Sequence, residues 1–298
     1  VDFMKYEEFK AALFAGLKER VGKEKTLSLH QVEKNNGVFL EALVLRKEKE
    51  RIAPTIYIRQ FYELHKNGME MEKIIDQILK LDQEQKVEVD FSIEAFENYE
   101  KARTRVYYKL INYSMNKAML TKIPYVKYLD LAVVFYYRLE EGQFEGATIL
   151  VHNCNLEAWG INRRRLLEDA VMNTSRKLPY TFQTMEEVIT ELTGGEEQEI
   201  PGEEGELMYV LTNENKYLGA AALLYPYVLN HIGKVLKNNL YVLPSSIHEC
   251  ILVPDSGQYS RMELMSMVRE VNESQVAKEE ILSYEVYYYD RNRQALIL

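Results

Sequence analysis

Apolar residues recur at fours through residues 5 to 21, at Phe9, Leu13, Leu17 and Val21, with charges between them. This is the stripe of an amphipathic helix. Two β-rich runs follow, Thr26 to Asn35 and Gly37 to Leu45, on either side of Asn35-Asn36-Gly37. An Asn-Gly pair supplies the positive φ of a tight turn, so the spacing predicts a hairpin. After Pro54, the aromatic and branched residues of Thr55 to Lys66 fit helix or strand, and Asn67-Gly68 closes the segment like a helix cap. Helix is the favoured reading there. Met69 to Leu81 is a clearer helix, with Ile74, Ile75, Ile78, Leu79 and Leu81 on one side.

The remaining chain mixes both periods. A short helix is predicted around Ile93 to Lys101, a strand over Thr104 to Tyr113, and a helical turn over Asn116 to Lys122 that ends before Pro124. Leu129 to Leu139 is the most apolar β run, and it is expected to pair centrally with Ala147 to Asn153. Helices are predicted over Asn162 to Asn173, Met185 to Leu192, Gly219 to Leu236 and Arg261 to Ala277. Strands are predicted over Leu207 to Thr212, Leu240 to Leu243 and Ile247 to Val253, with a closing hairpin from Glu285 to Tyr289 and Ala295 to Leu298. The acid-rich stretch from Gly194 to Glu206 offers almost nothing to bury and reads as a surface loop. No fixed-period repeat and no sustained βαβ rhythm is present, which points to an α+β fold. Its sheet is expected to be mixed and largely antiparallel, packed with helices. An N-terminal helix-plus-hairpin region would cover residues 1–100, and a larger α+β region residues 101–298.

Composition narrows the class without naming an activity. The 298 residues are 47% hydrophobic and 28% charged, enough for a sizeable core and a solvated surface. No apolar run approaches the roughly 20 residues that span a bilayer. The start, Val1-Asp2-Phe3-Met4, leads directly into an acidic amphipathic helix and has no leader pattern, so a cytoplasmic setting is expected, with Met4 the expected natural start. Two cysteines, Cys154 and Cys250, are too few for a disulfide scaffold, and reduced thiols are expected. With 37 basic against 46 acidic residues the net charge is −9, which repels phosphate backbones, so nucleic acid is not an expected partner. The tight basic clusters, Arg163-Arg164-Arg165 and Lys101/Arg103/Arg105, read as the start of a helix and one face of a strand.

The common nucleotide-binding, serine-hydrolase and zinc-protease signatures are absent. One constellation is unusual: each cysteine stands two residues after a histidine, in His152-Asn153-Cys154 and His248-Glu249-Cys250. On a strand such residues share a face, so His152, Cys154, His248 and Cys250 could form a tetrahedral site if the segments met. The plainer reading is that the thiols act as small apolar residues. Pro244-Ser245-Ser246-Ile247-His248-Glu249 gathers hydroxyls, an imidazole and a carboxylate, making Ser246, His248 and Glu249 the catalytic candidates. A turn held by hydroxyl-to-backbone bonds, with His248 satisfied beside the core, is the alternative. Asp130, an acid at the mouth of an apolar strand, reads as a strand-end carboxylate or a buried base. Asn153, Asn155 and Trp159 suggest a binding loop, or an Asx turn before a helix. The tyrosine runs at 107–108, 136–137 and 287–289 read as packing on a two-sided sheet, or as a platform for a ring-shaped ligand.

Together, Leu110-Ile111-Asn112-Tyr113, Leu129-Asp130-Leu131-Ala132-Val133-Val134-Phe135, Trp159-Gly160, Tyr209 to Asn213 with Gly219-Ala220-Ala221, and Leu243-Pro244-Ser245-Ser246-Ile247-His248-Glu249 carry a resemblance. Over nearly its whole length the chain resembles a family of uncharacterised bacterial proteins, a domain of unknown function common in anaerobic commensals. From Leu129 onward the order of segments is also loosely similar to another uncharacterised bacterial α+β family. The resemblance implies a bacterial cytoplasmic setting and brings no activity, substrate or cofactor. The Pro-Ser-Ser-x-His-Glu stretch typifies the family and the cysteines do not, which weighs against zinc.

The resulting expectation is a non-catalytic binding or regulatory module without a cofactor. It would recognise a small molecule or protein partner through Asn153, Asn155, Trp159, Ser245, Ser246 and His248. The alternative is a hydrolase or metal-assisted enzyme built on Ser246, His248 and Glu249, and a further reading is a homodimer that uses the excess tyrosine as its interface.

Overall fold

The computed structural model describes residues 4–23, 25–47, 55–84, 93–139, 147–194 and 208–298. The predicted acidic loop beyond Gly194 lies outside them. The described residues divide into two compact units, one up to residue 84 and the other from residue 93 onward. The protein is α+β, and all its strand pairings are antiparallel among the described residues.

The first unit contains α1 (Tyr6–Arg20), β1 (Lys25–Glu33), β2 (Phe39–Lys47), β3 (Thr55–Tyr57), α2 (Ile58–Lys66) and α3 (Met71–Glu84). Its sheet runs β1-β2-β3. The predicted turn carries Asn36 at φ 60° and Gly37 at φ 68°, the left-handed geometry that Asn and Gly tolerate. Phe9, Leu13 and Leu17 of α1 bury against Leu43 and Leu45 of β2, Phe61 of α2, and Ile74, Ile75 and Ile78 of α3. The ambiguous Thr55 to Lys66 segment resolves as both readings in succession, three strand residues and then a helix. That helix ends in a Schellman cap: Met69 N–H donates to Leu64 C=O and Gly68 N–H to His65 C=O, with Gly68 at φ 94°.

The second unit begins with α4 (Ile93–Glu97), α5 (Tyr99–Ala102), β4 (Val106–Asn112), α6 (Lys117–Leu120), β5 (Tyr125–Tyr128), β6 (Leu131–Arg138) and β7 (Thr148–Leu150). It continues through α7 (Asn153–Trp159), α8 (Arg163–Lys177), β8 (Tyr180–Thr184), α9 (Met185–Leu192), β9 (Tyr209–Asn213) and α10 (Val228–Leu236). The last elements are β10 (Leu240–Leu243), β11 (Cys250–Pro254), α11 (Arg261–Ser274), β12 (Tyr287–Asp290) and β13 (Ala295–Ile297). β6 is the centre of the smaller sheet: β4 lines one edge, while β5 and then β7 share the other. β7 is therefore a short edge strand and not a second central one. The larger sheet has the order β13-β12-β10-β11-β9-β8.

Several expectations change here. The predicted helix Gly219 to Leu236 breaks at Pro226, which lacks an N–H and pushes its predecessor out of helical geometry. Gly219–Leu224 is a 3₁₀ segment, Tyr227 sits at φ 66°, and α10 starts afresh. Two strands, β5 and β8, were not evident in the pattern because each has only four or five residues of mixed character. Arg103 and Arg105 stand in a 3₁₀ turn, not on a strand face. Arg103 and Arg165 both pair with the buried Asp169, which also accepts from the Tyr99 hydroxyl at 2.8 Å.

Buried polar groups connect distant segments of this unit. The Asn112 amide donates to Leu282 C=O at 3.0 Å, and Asn272 donates to Ser283 C=O at 2.9 Å. Asp130 accepts from the Ser283 hydroxyl at 2.6 Å and from the Tyr287 hydroxyl. It is a tie from the β5–β6 turn to Ser283, before β12, and to Tyr287, the first residue of β12.

Candidate functional site

Beyond β10, Pro244 and Ser245 offer their carbonyls to the N–H groups of Ser283 and Leu282, both at 2.9 Å, and Ser246 bridges Ile281. The strand predicted from Ile247 begins instead at Cys250. The Ser246 hydroxyl accepts from the His248 backbone N–H at 3.0 Å, the local turn bond open to a serine. His248 Nδ1 accepts from the Leu218 N–H at 3.2 Å, so the proton of the neutral ring belongs on Nε2, which faces the Glu280 carboxylate at 3.4 Å. The His248 carbonyl accepts from Thr212 Oγ1 at 2.7 Å, and the ring lies 5.3 Å from that of Tyr217. Gly219 permits this crossing, since a Cβ there would stand 2.6 Å from both the Asn213 nitrogen and the His248 carbonyl oxygen.

His248 is thus a strut between two loops. The carboxylate opposite its ring is Glu280, not the predicted Glu249. Burial pushes the Glu249 carboxyl above the ordinary carboxylate range, against the opposing pull of His248 and the Ser246 hydroxyl. The contacts hold a turn and do not align a hydroxyl, an imidazole and an acid in a relay.

Asn153, Asn155 and Trp159 lie on a helix and not a loop. Its first turn is fixed by the His152 N–H donating to Asn155 Oδ1 at 2.7 Å, and Gly160 at φ 64° ends it. Asn153 donates to the Thr121 carbonyl, and the Trp159 indole donates to Phe96 C=O at 2.7 Å while its ring packs on Phe96 and Tyr99. None of these contacts is with the Pro244 to Glu249 loop. His152 and Cys154 straddle a helix start, so the shared strand face disappears. Cys154 is exposed, whereas Cys250 is fully buried and its thiol is pushed far up by burial. Among the described residues no three His, Cys, Asp or Glu side chains are grouped to hold a metal ion.

Among the described residues, two cavities of the second unit are lined by tyrosines. One, of about 470 Å³, has a largely apolar lining that includes Tyr108, Tyr128, Tyr225, Tyr227 and Tyr289. The Tyr108 and Tyr225 hydroxyls are spent on the carbonyls of Ala221 and Leu178, so these side chains offer rings and not hydroxyls. Tyr227, 84% exposed, stands at the rim. The other cavity, of about 320 Å³, is bounded by Tyr136, Arg138, Thr148, Leu178, Asn215 and Tyr217. Sequence reading singled out some of these tyrosines but not Arg138 or Asn215. The available signal was a lone cation that ends an otherwise apolar strand, two residues after Tyr136.

Among the described residues no helix is long and apolar enough to cross a membrane. A family model described as a family of unknown function, DUF5688, matches residues 6–291. No curated protein and no solved structure matches the chain.

Proposed function

The chain belongs to the DUF5688 family of unknown function, and from that premise we propose that it is a non-catalytic module that binds a small, flat, largely apolar molecule. The observation that carries this reading is the tyrosine-lined cavity of about 470 Å³. Ligand pockets of proteins span about 300–1,000 Å³ and are mostly apolar, with a few polar groups that fix orientation. Here those groups are Tyr128, Asn230 and Gln294, whose side chains carry no hydrogen bond among the described residues. Aromatic rings favour a flat partner through offset or edge-on contact. A bacterial cytoplasmic setting is part of the proposal.

The test is a titration with indole and 2-naphthol, both uncharged, followed by thermal shift and ligand-observed NMR. A ligand at 100 times its dissociation constant adds about 2.7 kcal/mol of stability. Saturable binding is expected in the parent protein, with loss in Val171→Phe, which fills the half-buried cavity wall, and weakening in Tyr227→Ala at the rim. Binding that is absent in the parent, or unchanged in a folded Val171→Phe protein, overturns the reading.

A further inference from the structure

We infer that the cavity around Arg138 is a binding site for a small oxyanion, a carboxylate or a phosphate monoester, held by the Arg138 guanidinium. It shares no lining residue with the tyrosine-lined cavity, so the two readings stand or fall separately.

Strand register builds one wall. Tyr136 and Arg138 are two residues apart on β6 and share a face, and Thr148 of β7 is the direct cross-strand partner of Arg138. The opposite wall is a loop that follows β9. Asn213, 1% exposed, accepts through Oδ1 from the N–H groups of Asn215 and Tyr217 at 3.1 and 3.4 Å and donates to the Tyr217 carbonyl at 2.9 Å. His248 takes the next N–H, that of Leu218, at 3.2 Å. The loop is thereby held so that Asn215 and Tyr217 both reach the cavity.

The electrostatics favour an anion. With its amide oxygen turned toward Arg138, Asn215 accepts from both terminal guanidinium nitrogens at 3.1 Å. That oxygen occupies part of the fork without neutralising it, and an arginine has about five N–H donors in all. Arg103, Arg164 and Arg165 each pair with a carboxylate, whereas among the described residues Arg138 pairs with none. A half-buried guanidinium of this kind suits bidentate recognition of carboxylate or phosphate. Burial raises the Tyr136 hydroxyl well above its ordinary value, so at neutral pH it remains a donor. The volume of about 320 Å³ suits a small molecule.

Isothermal titration of the full chain with benzoate, phenyl phosphate and inorganic phosphate tests the proposal. Saturable one-site binding of at least one probe is expected, weakening as salt rises to about 0.5 M. Arg138→Gln is expected to weaken it about tenfold or more, and Arg138→Lys less, because charge survives but the fork does not. Asn215→Asp, on the exposed loop, supplies an internal carboxylate; it is expected to abolish binding with the thermal midpoint unchanged or raised. Benzamide, uncharged and of the same shape, is expected not to compete. The stronger of benzoate and phenyl phosphate identifies the preferred anion. Absence of saturable binding by all three probes overturns the proposal, as does parental affinity in Asn215→Asp, which also decides the matter if Arg138→Gln does not fold.

Discussion

The two units solve the burial problem in different ways. In the first, the buried side chains are almost all apolar, and Asp82 is the one buried polar group among the described residues, paired with Lys25. In the second, Asn112, Asp169, Asn173 and Ser283 are buried and bonded across long stretches of sequence, and Asn213 and Asn272 are buried and bonded over shorter spans. Apolar stripes say which faces go inside and forbid a one-residue slip of a strand, but by themselves they do not choose among crossings or among slips of two residues. Directional polar bonds can fix those crossings, at the cost that each member becomes expensive to lose. It is also the second unit that holds both cavities.

Removing one apolar side chain from the first unit is the largest perturbation. Phe9→Ala is expected to cost about 3–5 kcal/mol, since it opens a void at a fully buried ring. Hydrogen exchange should show protection falling across residues 6–47. An equal fall across residues 106–138 would break the comparison, because each unit would no longer own its core. Asn112→Ala probes the other mode. It removes the bond to Leu282 C=O and the acceptor for the Ser114 hydroxyl and the Met115 N–H. A cost of about 2–3 kcal/mol is expected, more than its few atoms of packing would imply. Urea unfolding that gives less than about 0.5 kcal/mol would mean that water replaces the lost partners and the tie specifies little.

The same contrast explains what was legible. Helix α1 and the β1–β2 hairpin stood in the pattern because Phe9, Leu13 and Leu17 repeat at helical spacing and Asn36-Gly37 marks the turn. The α+β class, the apolar β6 and the helices at 163, 185 and 261 were equally readable from local signals. The site was not. The pairing of β6 with β7 was expected, but not the register that sets Thr148 opposite Arg138, and that the Leu218 N–H reaches His248 depends on a contact between residues distant in sequence, which no local period encodes. Pro244 to Glu249 did attract notice through its polar residues, but those residues brace a neighbouring loop. The broken helix at Pro226 was readable in principle, since proline removes a helical donor wherever it falls inside a helix.

A smaller effect sharpens the picture of that brace. Because burial raises the folded-state value of Glu249, the fold disfavours its ionised form. Below the ordinary value of about 4.5 the carboxyl is neutral both folded and unfolded, and it costs nothing. As pH rises above that point the unfolded chain ionises first, so stability is lost until the folded value is passed. Glu249→Gln removes this dependence. Its advantage over the parent should be constant below about pH 4.5, widen above it and then level off, as read by urea midpoints from about pH 4 to about pH 8. A difference that does not change with pH would mean that water reaches the carboxylate.

The smallest expected effect falls on His248, and it separates a strut from a packed side chain. The loop bond at stake, Leu218 N–H to Nδ1, is a single neutral hydrogen bond with a net worth of about 0.5–1.5 kcal/mol. His248→Ala removes both the acceptor and the ring beside Tyr217, whereas His248→Asn restores an acceptor, Oδ1, close to where Nδ1 stands. If His248 acts by positioning, His248→Ala should weaken oxyanion binding at Arg138 several-fold, and His248→Asn should recover most of that affinity without recovering all of the stability. A side chain that only fills space predicts the opposite ranking: both variants would lose stability in proportion to lost ring area, and neither would alter affinity. Parental affinity in a folded His248→Ala protein would therefore leave Asn213 as the support of the loop and detach the Pro244 to Glu249 segment from the site. Rescue by asparagine would instead tie the most polar stretch of the sequence to the cavity through one backbone N–H.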